Sequence, residues 1–178
     1  MRSAPVADLT RIIGTLRRHR VRFVLVGGVA AVIEGAPITT FDLDIVHDRA
    51  RRNVRQLRAA LLELGARYRL RRDIRLSPTE DALAGPGHHL LITHHGPLDV
   101  LGAIGKGRDF RALAAHARRR KLAGAFVLVL DLPTQIAIKR EVGHAKDHAM
   151  LPLLEEVLRT RRAPPRPARS RPARSRRR

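Results

Sequence analysis

The stretch that decides the fold reads Phe23-Val24-Leu25-Val26-Gly27-Gly28, passes over thirteen residues (29–41), and resumes as Asp42-Leu43-Asp44-Ile45-Val46. A short apolar run closed by a diglycine has the pattern of a buried strand ending in a turn. Residues 29–35 fit a short helix stopped by Gly35-Ala36-Pro37. Over Thr39–Val46 the apolar Phe41, Leu43 and Ile45 alternate with Asp42 and Asp44. That period of two predicts a strand with carboxylates on the face turned away from the core.

This spacing carries chemistry. Between a strand and a helix, a diglycine lets backbone N–H groups approach a phosphate without interference from Cβ, and the helix dipole adds favourable potential. Two aspartates two positions apart on a strand leave the same face, with Cα atoms roughly 6.5–7 Å apart. Such a pair can hold two Mg²⁺ ions about 3.5–4 Å from each other, since magnesium takes hard oxygen ligands. Asp99 lies in Pro97-Leu98-Asp99-Val100-Leu101, flanked by residues that turn to a core, so its carboxylate faces the other way. It joins the first pair if the two strands are neighbours. Three acids on one sheet face repel one another unless a cation neutralises them, which suggests a metal site.

Outward from this centre, apolar spacing predicts helices over 6–20, 50–64, 110–122, 133–140 and 145–159, with Pro152 ending or kinking the last unless it opens a new one. His89–Thr93 and Leu98–Leu101 fit a hairpin, and Phe126–Leu130 a further strand. Residues 69–76 are ambiguous, and most of Asp73–Gly87 reads as loop. His88, His89, His94 and His95 flank one strand in alternating directions, so no more than two of them converge. The expected class is α/β (α+β): a mixed sheet with helices mainly on one side and a small C-terminal helical part.

Composition sets the frame. At 178 residues the chain has room for one domain, expected over 1–160, and 44% apolar content supports a core. Aromatic residues make up only 3%, which argues against a nucleic-acid site built on stacked rings. Cysteine is absent, excluding thiolate metal sites and cysteine nucleophiles. No apolar run is long enough to span a membrane, and Asp8 breaks the pattern of a secretion signal. A cytoplasmic setting is therefore expected. The net charge is +20, of which residues 161–178, with nine Arg and no acid, supply +9. That segment repeats Arg-Pro-Ala-Arg-Ser in tandem and is predicted to be a disordered basic tail. Basic charge on both parts makes polyanions natural partners.

The Val26-Gly27-Gly28 … Asp42-Leu43-Asp44-Ile45 arrangement, with Asp99 as a third carboxylate, resembles the nucleotidyltransferase superfamily related to DNA polymerase β. Within it the chain looks most like small bacterial members near the abortive-infection type IV toxin nucleotidyltransferases. Leu132–Lys139, followed by Gly143-His144-Ala145-Lys146-Asp147, is similar to their C-terminal helix with its Lys and later Lys-Asp. The resemblance spans about residues 20–158. It implies a transferase that uses Mg²⁺, or Mn²⁺, to move an NMP from an NTP such as ATP to an acceptor hydroxyl. The acceptor would be a tRNA, a protein or a small molecule, and the chain would be the toxin of a toxin–antitoxin system with an antitoxin partner. Asp42, Asp44 and Asp99 would be catalytic and hold the metal. Gly27 and Gly28 would receive the phosphates, and Lys139 and Lys146 would offset triphosphate charge. The alternative is a catalytically silent protein of the same fold that binds nucleic acid or protein.

Overall fold

The computed structural model describes residues 7–70, 76–122, 124–143 and 145–162, with side chains described except at 145–148 and 162. In chain order the elements are α1 (Leu9–Arg18), β1 (Phe23–Val26), α2 (Gly27–Ile33), β2 (Leu43–His47), α3 (Arg51–Glu63), β3 (Arg67–Tyr68), α4 (Glu80–Ala84), β4 (His88–Thr93), β5 (Gly96–Leu101), α5 (Phe110–Ala114), β6 (Ala117–Leu122), β7 (Ala125–Leu130), α6 (Leu132–Val142) and α7 (Ala145–Arg162). The seven strands form one mixed sheet in the order β3-β4-β5-β2-β1-β7-β6. β1 runs parallel to β7 and antiparallel to β2, while β2 runs parallel to β5.

The pleat sorts the side chains into two layers. Phe23, Leu25, Leu43, Ile45, Leu98, Val100, Val127 and Val129 join the larger apolar cluster with Ile12, Ile13 and Leu16 of α1, Leu57 and Leu61 of α3 and Leu83 of α4. Val24, Val26, Val46, Leu101 and Leu130 turn the other way and join Phe110 and Leu113 of α5 and Ile138 of α6 in a smaller cluster. A third cluster packs Ala31 and Ala36 against Leu132, Ile136, Leu151 and Leu154, forming the small C-terminal helical part. Helix ends follow their capping residues: Asp8 accepts from Arg11 N at 3.1 Å, Thr79 from Ala82 N at 3.2 Å, and Asp131 from Thr134 N at 2.9 Å. No helix among the described residues is long and apolar enough to cross a membrane.

Several sequence-based boundaries move. The expected helix over 110–122 splits: α5 stops at Ala114, and Ala117–Leu122 becomes β6, paired over six residues with β7. Arg, Ala, Lys and Leu all favour helix, but the ladder to β7 outweighs that weak preference. Part of the expected 73–87 loop is the short helix α4, opened by Thr79 with Glu80 and Asp81 in its first turn. The expected strand from Thr39 starts only at Leu43. Pro152 neither ends nor divides α7, which runs through it to Arg162. The tail from 163 onward lies outside the described residues.

Candidate active site: three aspartates beside a diglycine turn

β1 ends at Val26, and α2 begins at once with Gly27 and Gly28 as its first turn. Val26 sits opposite Asp44 in the antiparallel register, and Asp44 sits opposite Asp99 in the parallel one. These two pairings place the diglycine, Asp44 and Asp99 in one row across three adjacent strands. Asp42, just before β2, stands two residues from Asp44 on the same side. One carboxylate oxygen from each of Asp42, Asp44 and Asp99 comes within 4.8 Å of the others. Asp42 and Asp44 are half-buried, and Asp99 is 7% exposed.

Both glycines are required by what stands against them. Gly27 has φ +67°, and a Cβ there would lie 2.0 Å from Asp44 Oδ2. A Cβ on Gly28 would lie 2.5 Å from Thr40 Oγ1. The turn is therefore fitted directly to the acid cluster, with no room for any side chain. Thr40 Oγ1 in turn donates to Asp42 Oδ1 at 3.2 Å, which orients that carboxylate. No side chain caps the first turn of α2.

Two participants, Thr40 and Arg69, are not among the candidates that the sequence analysis singles out. Thr40, two residues before Asp42, has the spacing of a hydroxyl that bonds locally to the chain ahead, a readable but weak signal. Arg69 has no such signal. Its backbone N–H donates to Leu90 O at 3.0 Å, Leu90 pairs with Asp99, and the Arg69 guanidinium reaches Asp99 Oδ1 across β4. Only the sheet register brings residues thirty apart into this contact.

The other expected site residues fall differently. Lys139 is half-buried on α6, next to Ile138, which belongs to the apolar cluster containing Val26 and Val46. α6 thus lies against the sheet face that bears the acids. The side chain of Lys146 lies outside the described residues. Of the histidines, His88 Nε2 donates to Ala103 O at 2.8 Å, and His89 Nδ1 lies 2.8 Å from the Tyr68 hydroxyl. His47, three residues past Asp44, is fully buried on the opposite face, and its Nε2 donates to Leu83 O at 2.7 Å. Burial holds both His47 and His89 below the usual histidine range and pushes the Tyr68 hydroxyl up.

The donor set fits a divalent cation on its own chemistry. Three carboxylates offer hard oxygen ligands at close quarters, and their mutual repulsion is relieved by positive charge. Comparison with solved structures then bears on the scaffold. A candidate nucleotidyltransferase from Thermotoga maritima (TM1012) superposes with a TM-score of 0.53 at 19% identity, covering 85% of this chain and 91% of that one. The lincosamide antibiotic adenylyltransferase LnuA, in its lincomycin-bound form, superposes with a TM-score of 0.58 at 14% identity, covering 86% of this chain and 99% of that one.

The fold is of the nucleotidyltransferase type. No protein-family model matches the chain, and no curated protein matches it by sequence. The likeness therefore lies in the path of the backbone, and at such low identity it fixes the fold alone. The acids and the diglycine belong to this chain's own geometry.

Proposed function

We propose that the chain is a divalent-metal-dependent nucleotidyltransferase. The observation that carries this reading is the convergence of Asp42, Asp44 and Asp99 against a diglycine turn with no space for a Cβ. In the reaction an acceptor hydroxyl attacks the α-phosphorus of an NTP. The new O–P bond forms as the bond to the β-phosphate oxygen breaks. Pyrophosphate leaves, and the hydroxyl proton is released. Asp42 and Asp44 would hold the metal, with Asp99 completing the set and taking the proton. Mg²⁺, or Mn²⁺, would supply neutralisation of the triphosphate and polarisation of the α-phosphate. The Gly27–Gly28 backbone would receive phosphate oxygens, and Lys139 and Lys146 would place point charges near the triphosphate.

The acceptor classes remain those that the sequence resemblance raises: a tRNA, a protein hydroxyl or a small molecule. LnuA is by name an adenylyltransferase of an antibiotic, which supports ATP and a small-molecule hydroxyl as the first pair to test. A toxin held in check by an antitoxin is the corresponding reading for a tRNA or protein acceptor.

The ion pair between Arg69 and Asp99 favours one second reading. A guanidinium on the third carboxylate offsets acid repulsion without a metal, so a catalytically silent protein could keep the same cluster. One pair of measurements separates the two. For the enzyme, Mg²⁺ raises the melting temperature, the rise is lost in Asp44→Asn, and pyrophosphate appears when labelled NTPs are offered with tRNA, protein or aminoglycoside and lincosamide acceptors. A melting temperature indifferent to Mg²⁺ and Mn²⁺, with no pyrophosphate released, establishes the silent reading.

A further inference from the structure

The end of β1 opposite the diglycine carries a second feature. A groove of about 570 Å³ opens there, lined by residues that precede and begin β1, by the first residues of β7, by α5 and by β6. Three of the chain's four phenylalanines, Phe23, Phe110 and Phe126, line it, together with Arg17, Arg20, Arg22 and Arg119. An aromatic content that is sparse over the whole chain is thus concentrated at one place, among guanidinium groups.

The four arginines are not equivalent. Arg22 is paired with Asp48 at 2.8 Å and lies over the Phe110 ring, 5.1 Å from its centre. Arg17 donates to the Phe126 carbonyl at 3.1 Å. These two are tied into the wall. Arg20 and Arg119 are exposed, and among the described residues neither has a carboxylate within ion-pair distance. Arg119 instead lies over the ring of Phe126, 5.0 Å from its centre, and Phe126 is 57% exposed. Among the described residues the groove therefore offers two guanidinium charges with no carboxylate partner, beside a layered guanidinium–ring platform.

We propose that this groove holds a single-stranded nucleic acid, its phosphates on Arg20 and Arg119 and a base stacked on the Arg119–Phe126 platform. Phosphate oxygens match guanidinium geometry, and an unpaired base stacks on aromatic or guanidinium planes without regard to sequence. A duplex keeps its bases inside and cannot use the platform. An acidic peptide would satisfy the charges, but its carboxylates bring no planar base to lie on the layered platform. The site is separate from the aspartate cluster, since Phe23 and Val26 stand at opposite ends of β1, roughly 10 Å apart at the strand rise. It stands whether or not the cluster transfers nucleotides.

The test uses the full chain and a labelled single-stranded RNA of about ten nucleotides, with binding followed by fluorescence anisotropy over a range of salt. Arg20→Gln combined with Arg119→Gln is expected to weaken binding at least about tenfold at low salt and to lower the slope of log K against log salt by roughly 1.4, two phosphate contacts at about 0.7 each. Arg52→Gln combined with Arg55→Gln, on the exposed side of α3, removes the same charge from the net +20 and is expected to change binding by no more than about twofold. Phe126→Leu keeps apolar cover and is expected to weaken binding about tenfold with the slope unchanged. Equal losses in the two double variants would show that only bulk charge matters and overturn the proposal. Unaltered binding in Phe126→Leu would overturn it, as would displacement of the RNA by polyglutamate as effectively as by unlabelled RNA. Asp44→Asn should bind RNA like the parent chain, so loss of transfer and loss of the groove are read separately.

Discussion

Glu34 and Asp99 are both buried carboxylates paired with arginine, 3% and 7% exposed. At Glu34, the residue that caps the C-terminal end of α2, two guanidinium groups converge on one acid: Arg120 of β6 at 3.0 Å and Arg161 of α7 at 2.6 Å. At Asp99, Arg69 engages an acid that has two further acids within 4.8 Å. The first arrangement settles its charge internally and ties the sheet to the C-terminal helices. The second gathers three carboxylates beside the diglycine turn. A buried acid with two cationic partners belongs to the architecture, whereas acids gathered against one another are, on the proposed function, the seat of a metal ion.

If this contrast is right, stability and activity should separate cleanly. The largest effect is expected at Asp44→Asn: transfer falls by about a thousandfold or more, equivalent to about 4 kcal/mol in the barrier, while the melting temperature in metal-free buffer holds or rises because repulsion is relieved. Pyrophosphate release alongside a thermal melt checks both halves, and a lower melting temperature without metal would break the contrast. Next comes Gly27→Ala, where the added methyl collides with the Asp44 carboxylate and the positive φ is strained. Transfer should drop about a hundredfold and the melting temperature should fall too, since this position serves both the fold and the site.

Glu34→Ala tests the other side. It leaves Arg120 and Arg161 without their shared partner. Both are partly exposed, so the cost is discounted to about 2 kcal/mol, or a fall of about 6 °C in a chain of this size. Mg²⁺-dependent stabilisation should survive in this variant; its loss would mean that the two carboxylates are not independent. The smallest effect concerns His47, which burial keeps neutral in the folded chain. Its folded pKa lies below the unfolded value of about 6.5. The unfolded chain therefore binds the extra proton first, and stability present above that pH declines as pH falls through it. Melts from pH 7.5 to 5 should show this decline. His47→Gln, which keeps a donor toward Leu83 O, should flatten it, leaving the share supplied by His89, which burial lowers in the same direction.

The centre of the molecule was legible because its signals are local. The run of four apolar residues in β1, the diglycine, the alternation around Asp42 and Asp44, and the apolar flanks of Asp99 each define a strand or turn within a few residues. What lay further away depended on register. Arg69 becomes a neighbour of Asp99 only through the β3–β4–β5 pairing. Ala117–Leu122 carries no alternating apolar face, since as the outermost strand it leaves Arg118, Arg119 and Lys121 exposed, and its composition therefore read as helix. The three phenylalanines of the arginine groove lie at positions 23, 110 and 126, and nothing short of the folded sheet brings them together.

That outermost strand has a consequence for how the protein behaves in a crowded solution. β6 ends the sheet, and among the described residues no further strand continues beyond it. Its backbone groups on that side would template the addition of another copy, the usual route to fibrils. A second β6 laid alongside would bring three cations of each copy, Arg118, Arg119 and Lys121, against their own kind. The charge that disguised this strand in the sequence thus acts as a guard against self-association, and salt, by screening it, is what would lower that guard.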